Sequence, residues 1–593
     1  MMEKRLAPGE PKRMASGGRM GWPELALVLG TAALSSANGW WVWTARRGLP
    51  YSIDEAGYLQ RAIRDGQHLV QGGVGGLLTA IHTPDIQAPL VPVVASLAYP
   101  LVHANLLELL ISLQVFYVTT ALATYALAKL VLPRWWSALV ALAVVCSPGV
   151  LDQSRSFMFA EAATATFAAA LAAQIAAGNG RSRRLLVLAG VLSGLTMLSR
   201  TMMVAFIVVL WAVGLLAVIL EPCDRWSRLR RFLLVPLVGS AVAAVWYTAQ
   251  WRYVLEYLTS YGYGHTAALY QGLPMLPVVG SLATRLNNIV SRDLYLPLAA
   301  AVVVGLCLGG WSAVSAWRTR RVSLWRSLVG PWGQIALVTG GELAVLCSTA
   351  NSGSGFELPL VPPLVVLAAA GWRSAVGPGV GLALCRGALA TVAAASVATV
   401  VIKTVTAIPL MTVTLGGGAY SPVVESSYSV LGEYLSAFEH SGGTMSKVAR
   451  GPWLADSWRV NAFMYHYARG HGYLPVVFFA TEGPLFNTNT LQLEEQARRD
   501  RVLPMGVFRD PTQVGMSFVQ QLNAPQYGVP NFLVAESGRQ AERFTVVPDG
   551  RVAKTARQAK FQRVWSLRLP DGTWVTVYWR AVGPRIPVRA GGR

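Results

Sequence analysis

Long apolar runs dominate most of the chain, separated by short basic or turn-rich segments. They fall near 22–44, 105–131, 135–149, 157–177, 185–198, 201–220, 232–251, 293–317, 329–349, 357–371 and 387–409. Most approach the roughly 20 residues that carry a helix across a bilayer. Those at 135–149, 185–198 and 357–371 are short, and are read as tilted, broken or extended by their flanks. The pattern predicts a membrane domain of about eleven helical spans over 22–409. Beyond residue 410 charges, Asn, Gln and turn residues return. There, Trp453 to His471 has the look of a helix, and 564–578 reads as two strands about the turn Pro570-Asp571-Gly572. A mixed α/β domain is therefore expected over 410–593.

The stretch 45–104, between the first two spans, is more than a linker. Tyr58, Leu59, Ala62 and Ile63 share one helical face within 54–65. Residues 88–101 are apolar but interrupted by Pro89, Pro92 and Pro100. Both are expected as helices lying in the membrane interface.

Composition agrees with a multi-pass membrane protein. Of 593 residues, 53% are hydrophobic and 13% charged, against about 25% charged in a soluble domain. The net charge of +21 does not point to nucleic acid, because the basic residues cluster in short loops between apolar runs. The clusters are Lys4/Arg5/Lys12/Arg13, Arg181/Arg183/Arg184, Arg225/Arg228/Arg230/Arg231 and Arg318/Arg320/Arg321, with Arg134 and Arg373/Arg386 as weaker members. They occupy alternate loops, as the positive-inside rule requires when the N-terminal tail, 1–21, is cytoplasmic. That orientation places 45–104, the turn near 150–156, the loop 252–292, the turn 350–356 and everything after 410 outside the cell membrane. The first apolar run lacks a small-x-small cleavage site and is read as a retained span. The five cysteines, Cys146, Cys223, Cys307, Cys347 and Cys385, lie in or beside hydrophobic segments, so the C-terminal domain has no disulfide framework.

Against this background the acidic pair Asp54-Glu55 stands out, just beyond the first span. Carboxylates beside a bilayer are costly, and persist where they do chemistry or meet a partner. Ser52-x-x-Glu55 also matches a capping box for the following helix. That accounts for Glu55 and leaves Asp54 without a required structural task. Arg155 and Glu161 stand at the outer end of two spans, either paired with each other or lining a site. Arg200, in Leu198-Ser199-Arg200-Thr201, is an outward cation that positive-inside logic does not explain. A guanidinium there suits a phosphate, or anchors to lipid headgroups. The loop 252–292 carries Arg252, His265, Arg285 and Arg292 among Tyr257, Tyr261, Tyr263 and Tyr270, a composition suited to a phosphate and a sugar. Glu342 is a further intramembrane charge. The absence of Walker, His-Glu-x-x-His, Cys-x-x-Cys and Gly-x-Ser-x-Gly patterns argues against a nucleotide-driven pump or a zinc protease.

The string at 51–62 resembles the first outer loop of GT-C superfamily membrane glycosyltransferases, in the branch of bacterial relatives of protein O-mannosyltransferase and of the lipid A aminoarabinose transferase. Those enzymes carry an Asp-Glu pair, then an aromatic residue and an amphipathic helix. Three more stretches agree in order. His82-Thr83-Pro84-Asp85-Ile86-Gln87-Ala88-Pro89-Leu90 is similar to a Lys-Pro-Pro-Leu segment, with Gln87-Ala88 in place of Lys-Pro. Gly194-Leu195-Thr196-Met197-Leu198-Ser199-Arg200 is similar to Gly-Leu-Ala-x-Leu-Thr-Lys. Phe356-Glu357-Leu358-Pro359-Leu360-Val361-Pro362-Pro363-Leu364 resembles Tyr-x-Leu-Pro-x-x-Pro-Pro-Leu.

The resemblance implies an inverting glycosyltransferase that moves a sugar from a polyprenyl-phosphate donor to an acceptor hydroxyl on a lipid, glycan or protein. Asp54 is then the catalytic base, with Glu55 beside it. Arg200 and His265 face the donor phosphate, and Arg155 and Glu161 orient the acceptor, the base or a metal. No cofactor is certain; a divalent metal ion held by Asp54 and Glu161 is left open. Two other classes fit the same composition: a carrier-lipid or glycan transporter without chemistry, and a structural membrane partner.

Overall fold

A computed structural model describes residues 21–47, 50–221, 224–263, 278–294, 296–319, 328–349 and 355–375. It also describes isolated positions between 387 and 398, two strands within 413–420, and 452–585 apart from short gaps. The N-terminal tail 1–20, most of the expected span 387–409 and His265 lie outside the described residues.

The membrane part is helical throughout. Helix α1 (Trp22–Ala45) leads into the loop 45–104, built from α2 (Ile53–Ile81) and α3 (Leu90–Val102). Then follow α4 (Leu106–Ser112), α5 (Gln114–Ala128), α6 (Arg134–Val145), α7 (Pro148–Ser154), α8 (Ala160–Ala176), α9 (Arg183–Ser199), α10 (Met203–Leu220), α11 (Arg225–Phe232) and α12 (Leu234–Tyr257). A π-turn at Leu258–Tyr263 ends this run; α13 (Val278–Asn288), α14 (Leu296–Arg318), α15 (Pro331–Ser348) and α16 (Val361–Ala375) complete the set.

Among the described residues, five helical stretches are long and apolar enough to cross a bilayer: Trp22–Thr44, Leu106–Ala128, Met203–Leu220, Arg225–Ser260 and Pro297–Ser315. The bent pair α6–α7, with a 60° angle at Ser147, makes a sixth. This is fewer than the eleven runs in the sequence, in part because apolar helices such as Ala160–Ala176 and Leu358–Ser374 are 17 residues or shorter. Helix α8 is buried along nearly its whole length and carries Glu161, Thr164 and Gln174 inward. A helix surrounded by protein tolerates polar side chains that a lipid-facing helix does not. Helix α9 likewise meets α12 through small residues. A Cβ on Gly190 would come within 2.8 Å of Val238, and one on Gly194 within 2.5 Å of Val242. Close backbone approach through small-xxx-small faces is the usual way membrane helices pack. Exposed Trp22, Trp135, Trp226 and Trp317 sit at helix ends beside the basic clusters, and exposed Trp40, Trp43 and Trp251 at the opposite ends. Two aromatic girdles of this kind mark the two faces of a bilayer.

The C-terminal domain carries a mixed sheet. Its strands are β3 (Val477–Thr481), β4 (Met505–Val507), β5 (Phe532–Glu536), β6 (Gln562–Arg568) and β7 (Trp574–Trp579), in the order β4-β3-β5-β7-β6. A separate pair, β1 (Val413–Leu415) and β2 (Gly418–Tyr420), precedes it. Strand β3 is parallel to β4 and β5; β7 is antiparallel to β5 and β6. The expected hairpin is present, with Gly572 at φ 88° in its turn. Strands β3 and β5 are buried at every position because both sheet faces are covered. Val477, Phe479 and Val534 pack towards α17 (Trp453–Gly470) and α18 (Thr488–Arg499). Phe478, Ala480 and Leu533 pack on the other side with Val552 and Ala556 of α20 (Asp549–Gln558), beyond the short α19 (Phe518–Gln521).

Candidate functional site

The site starts at the first turn of α2. Ser52 accepts a hydrogen bond from the Glu55 backbone N–H at 3.2 Å, and the Glu55 carboxylate accepts from the Ser52 N–H at 3.2 Å, so the expected capping box is present. Glu55 does more than cap. Fully buried, it pairs with the Arg46 guanidinium at 3.0 Å and accepts from the Phe157 N–H at 3.0 Å. It thereby ties the exit of α1, the start of α2 and the segment before α8 into one knot. Asp54, one position earlier, is exposed. Burial pushes the phenol of Tyr51, packed beside Arg46, above its ordinary range.

Arg200 ends α9 in an extended conformation (φ −159°, ψ 133°), which turns its side chain away from the helix it follows. It donates to the Gly355 carbonyl at 3.1 Å, and its guanidinium stacks on the Phe356 ring at 3.9 Å. The stretches 194–200 and 356–364 therefore meet in space. Asp54, Tyr58, Tyr257 and Glu357 all lie within electrostatic reach of Arg200. The Tyr58 ring is held against Phe159, with centroids 4.0 Å apart.

A buried ion pair fixes the floor. Arg285 of α13 donates to Glu357 at 2.8 Å and to the Thr349 carbonyl at 3.2 Å; Asn288 also donates to Glu357, at 3.2 Å. Arg285 is thus engaged with protein, not displayed as a ligand group of its loop. The segment 82–87 forms a further wall. Gln250 of α12 donates to the His82 and Thr83 carbonyls at 3.0 and 3.1 Å. Arg61 of α2 pairs with Asp85 at 3.4 Å and donates to the Gln87 carbonyl.

Arg155 and Glu161 do not pair. Arg155 lies 4.3 Å from the Trp41 ring centroid and donates from Nε to the Asn38 side-chain oxygen Oδ1. Asn38 in turn donates to Gln114 at 3.0 Å and to Ser154 at 2.8 Å. Glu161 faces the bundle interior, accepting from Thr120 at 2.6 Å. Both belong to the buried scaffold behind α2. Among the described residues no group of three or more His, Cys, Asp or Glu side chains is gathered in a way that could hold a metal ion.

No protein-family model and no curated protein sequence matches the chain. Solved structures do. The crystal structure of ArnT from Cupriavidus metallidurans bound to undecaprenyl phosphate is similar over 93% of this chain and 97% of that one, with TM-score 0.54 and 14% identity. The fold is of the GT-C type. The archaeal oligosaccharyltransferase AglB from Archaeoglobus fulgidus, in complex with an inhibitory peptide and a dolichol-phosphate, aligns over 87% of this chain and 70% of that one (TM-score 0.49, 12% identity). The arabinofuranosyltransferase AftD from Mycobacteria aligns over 93% of this chain and 40% of that one (TM-score 0.47, 14% identity).

In this GT-C-type fold Asp54 lies within electrostatic reach of Arg200, while Glu55, Arg155 and Glu161 are buried in the protein. Sequence reasoning missed two features. The Arg285–Glu357 pair joins residues 72 positions apart. Asn489 of α18 reaches the first turn of α2 and donates to the Ile53 carbonyl at 2.8 Å. No local pattern signals either.

Proposed function

We propose that this protein is an inverting glycosyltransferase at the outer face of the cell membrane. Its N-terminus is cytoplasmic and its C-terminal domain outside. It moves a hexosyl or pentosyl group from a polyprenyl phosphate to a hydroxyl of a lipid, glycan or protein acceptor. The observation that supports this most is that an exposed carboxylate, Asp54, lies within electrostatic reach of a half-buried guanidinium, Arg200, which is held by Gly355 and Phe356. The undecaprenyl phosphate bound to ArnT makes a polyprenyl phosphate the carrier we infer.

In this mechanism Asp54 takes the proton of the acceptor hydroxyl as its oxygen bonds to the anomeric carbon. The bond from that carbon to the phosphate oxygen breaks, and its electron pair stays on the phosphate. Arg200 stabilises the charge that develops there, pre-organised by Gly355 and Phe356. His265 is proposed to share that role, and Arg155 and Glu161 to hold the scaffold around the acceptor.

The test is a transfer assay in liposomes with a panel of polyprenyl-phosphate sugars. Asp54→Asn is expected to abolish transfer at normal expression; near-full activity would reject the assignment. A carrier-lipid transporter would instead tolerate Asp54→Asn and lose lipid movement on Arg200→Ala.

A further inference from the structure

The C-terminal domain touches the proposed catalytic turn directly. Asn489, at the second position of α18, donates from its side-chain amide to the Ile53 carbonyl at 2.8 Å. Its own carbonyl accepts from the Gln60 side chain at 2.7 Å, and Gln496 donates to the Gln60 carbonyl at 3.2 Å. Leu493 is buried in one cluster with Ala56, Leu59, Ala62 and Ile63. The Ile53 carbonyl is a helix carbonyl, whose ordinary partner is the N–H of Gly57 four residues on. The absence of a side chain at position 57 leaves room for this second donor. A Cβ on Gly57 would lie 3.1 Å from the Asn489 amide nitrogen. Gly57 and Asn489 are thus matched parts of one contact. Asp54 is bracketed by two clamps: the Glu55 knot from the membrane domain, and Asn489 from the C-terminal domain.

Resting on the sugar-transfer reading above, we propose that Asn489 is a positioning residue for catalysis, through which the C-terminal domain aims Asp54 into the cleft opposite Arg200. The contact acts on orientation of the base, so it moves kcat and leaves donor KM nearly unchanged. Small misplacements of a catalytic group cost roughly 10- to 100-fold in rate.

The experiment is liposome transfer by the full-length protein and three variants: Asn489→Ala, Asn489→Gln, and the double substitution Gly57→Cys with Asn489→Cys. The first two are expected to lose about 10-fold or more in kcat, with donor KM and thermal unfolding close to wild type. The oxidised cysteine pair, which re-ties the seam covalently, is expected to recover activity that reduction removes. Wild-type kcat in Asn489→Ala overturns the proposal. So does a loss of activity that follows loss of thermal stability and is not recovered by the oxidised pair. Failure of the wild type to transfer from any donor overturns the sugar-transfer reading, and this inference with it.

Discussion

Glu55 has both carboxylate oxygens engaged with protein, by Arg46, the Ser52 N–H and the Phe157 N–H. Asp54, its neighbour, presents its side chain to the outside. Their adjacency was legible in the sequence, and so was the capping box; the Arg46 and Phe157 contacts were not, because they depend on how three segments meet. Removing one charge of a buried pair leaves the other uncompensated. Glu55→Gln is therefore expected to cost about 3–5 kcal/mol, seen as a lowered unfolding temperature in detergent along with lost transfer. Arg200 offers a different comparison. A lysine keeps the charge but has no planar fork to bond Gly355 while stacking on Phe356. Arg200→Lys is expected to raise donor KM about 10-fold or more, measured in the same assay; an unchanged KM would remove Arg200 from the donor site.

At the scale of elements, periodicity located α2, α3, α17 and the β6–β7 hairpin, while their lengths and partners came from packing. Helix α2 continues well beyond the amphipathic stretch 54–65, is broken by a kink at Gly73 (φ 58°), and resumes to Ile81. Within it, Gly66 lets α3 approach: a Cβ there would fall 2.3 Å from the Tyr99 ring. Gly66→Ala is expected to destabilise by about 1–3 kcal/mol through overpacking, read by thermal unfolding. In the C-terminal domain, α18 carries Glu494, whose proton is held more tightly because burial outweighs the pull of Arg498 at 2.8 Å. An acid with a raised pKa in the fold favours folding while it is protonated in both states. That contribution fades as pH rises above the ordinary value of 4.5 and through the folded value. Glu494→Gln is expected to flatten this decline in unfolding temperature between acidic and neutral pH; an unchanged profile would show that Glu494 does not carry it.

For the whole molecule, the alternation of basic loops predicts one orientation, with the N-terminus cytoplasmic. In a cysteine-free background, Arg231→Cys is expected to react with a membrane-impermeant thiol reagent only after the membrane is opened. His471→Cys is expected to react in intact cells; the reverse pattern would invert the topology. The sequence by itself determined the membrane class and singled out the acidic pair beyond the first span, because hydropathy and charge act locally through the solvent each residue meets. It also singled out Arg200, through the order of short motifs. Only the tertiary structure decided which helices face protein rather than lipid. It also brought Arg200 to Phe356 and Asp54, and placed Asn489 on the Ile53 carbonyl. Those contacts join residues far apart in the chain, and packing against several elements at once leaves no periodic trace in any one of them.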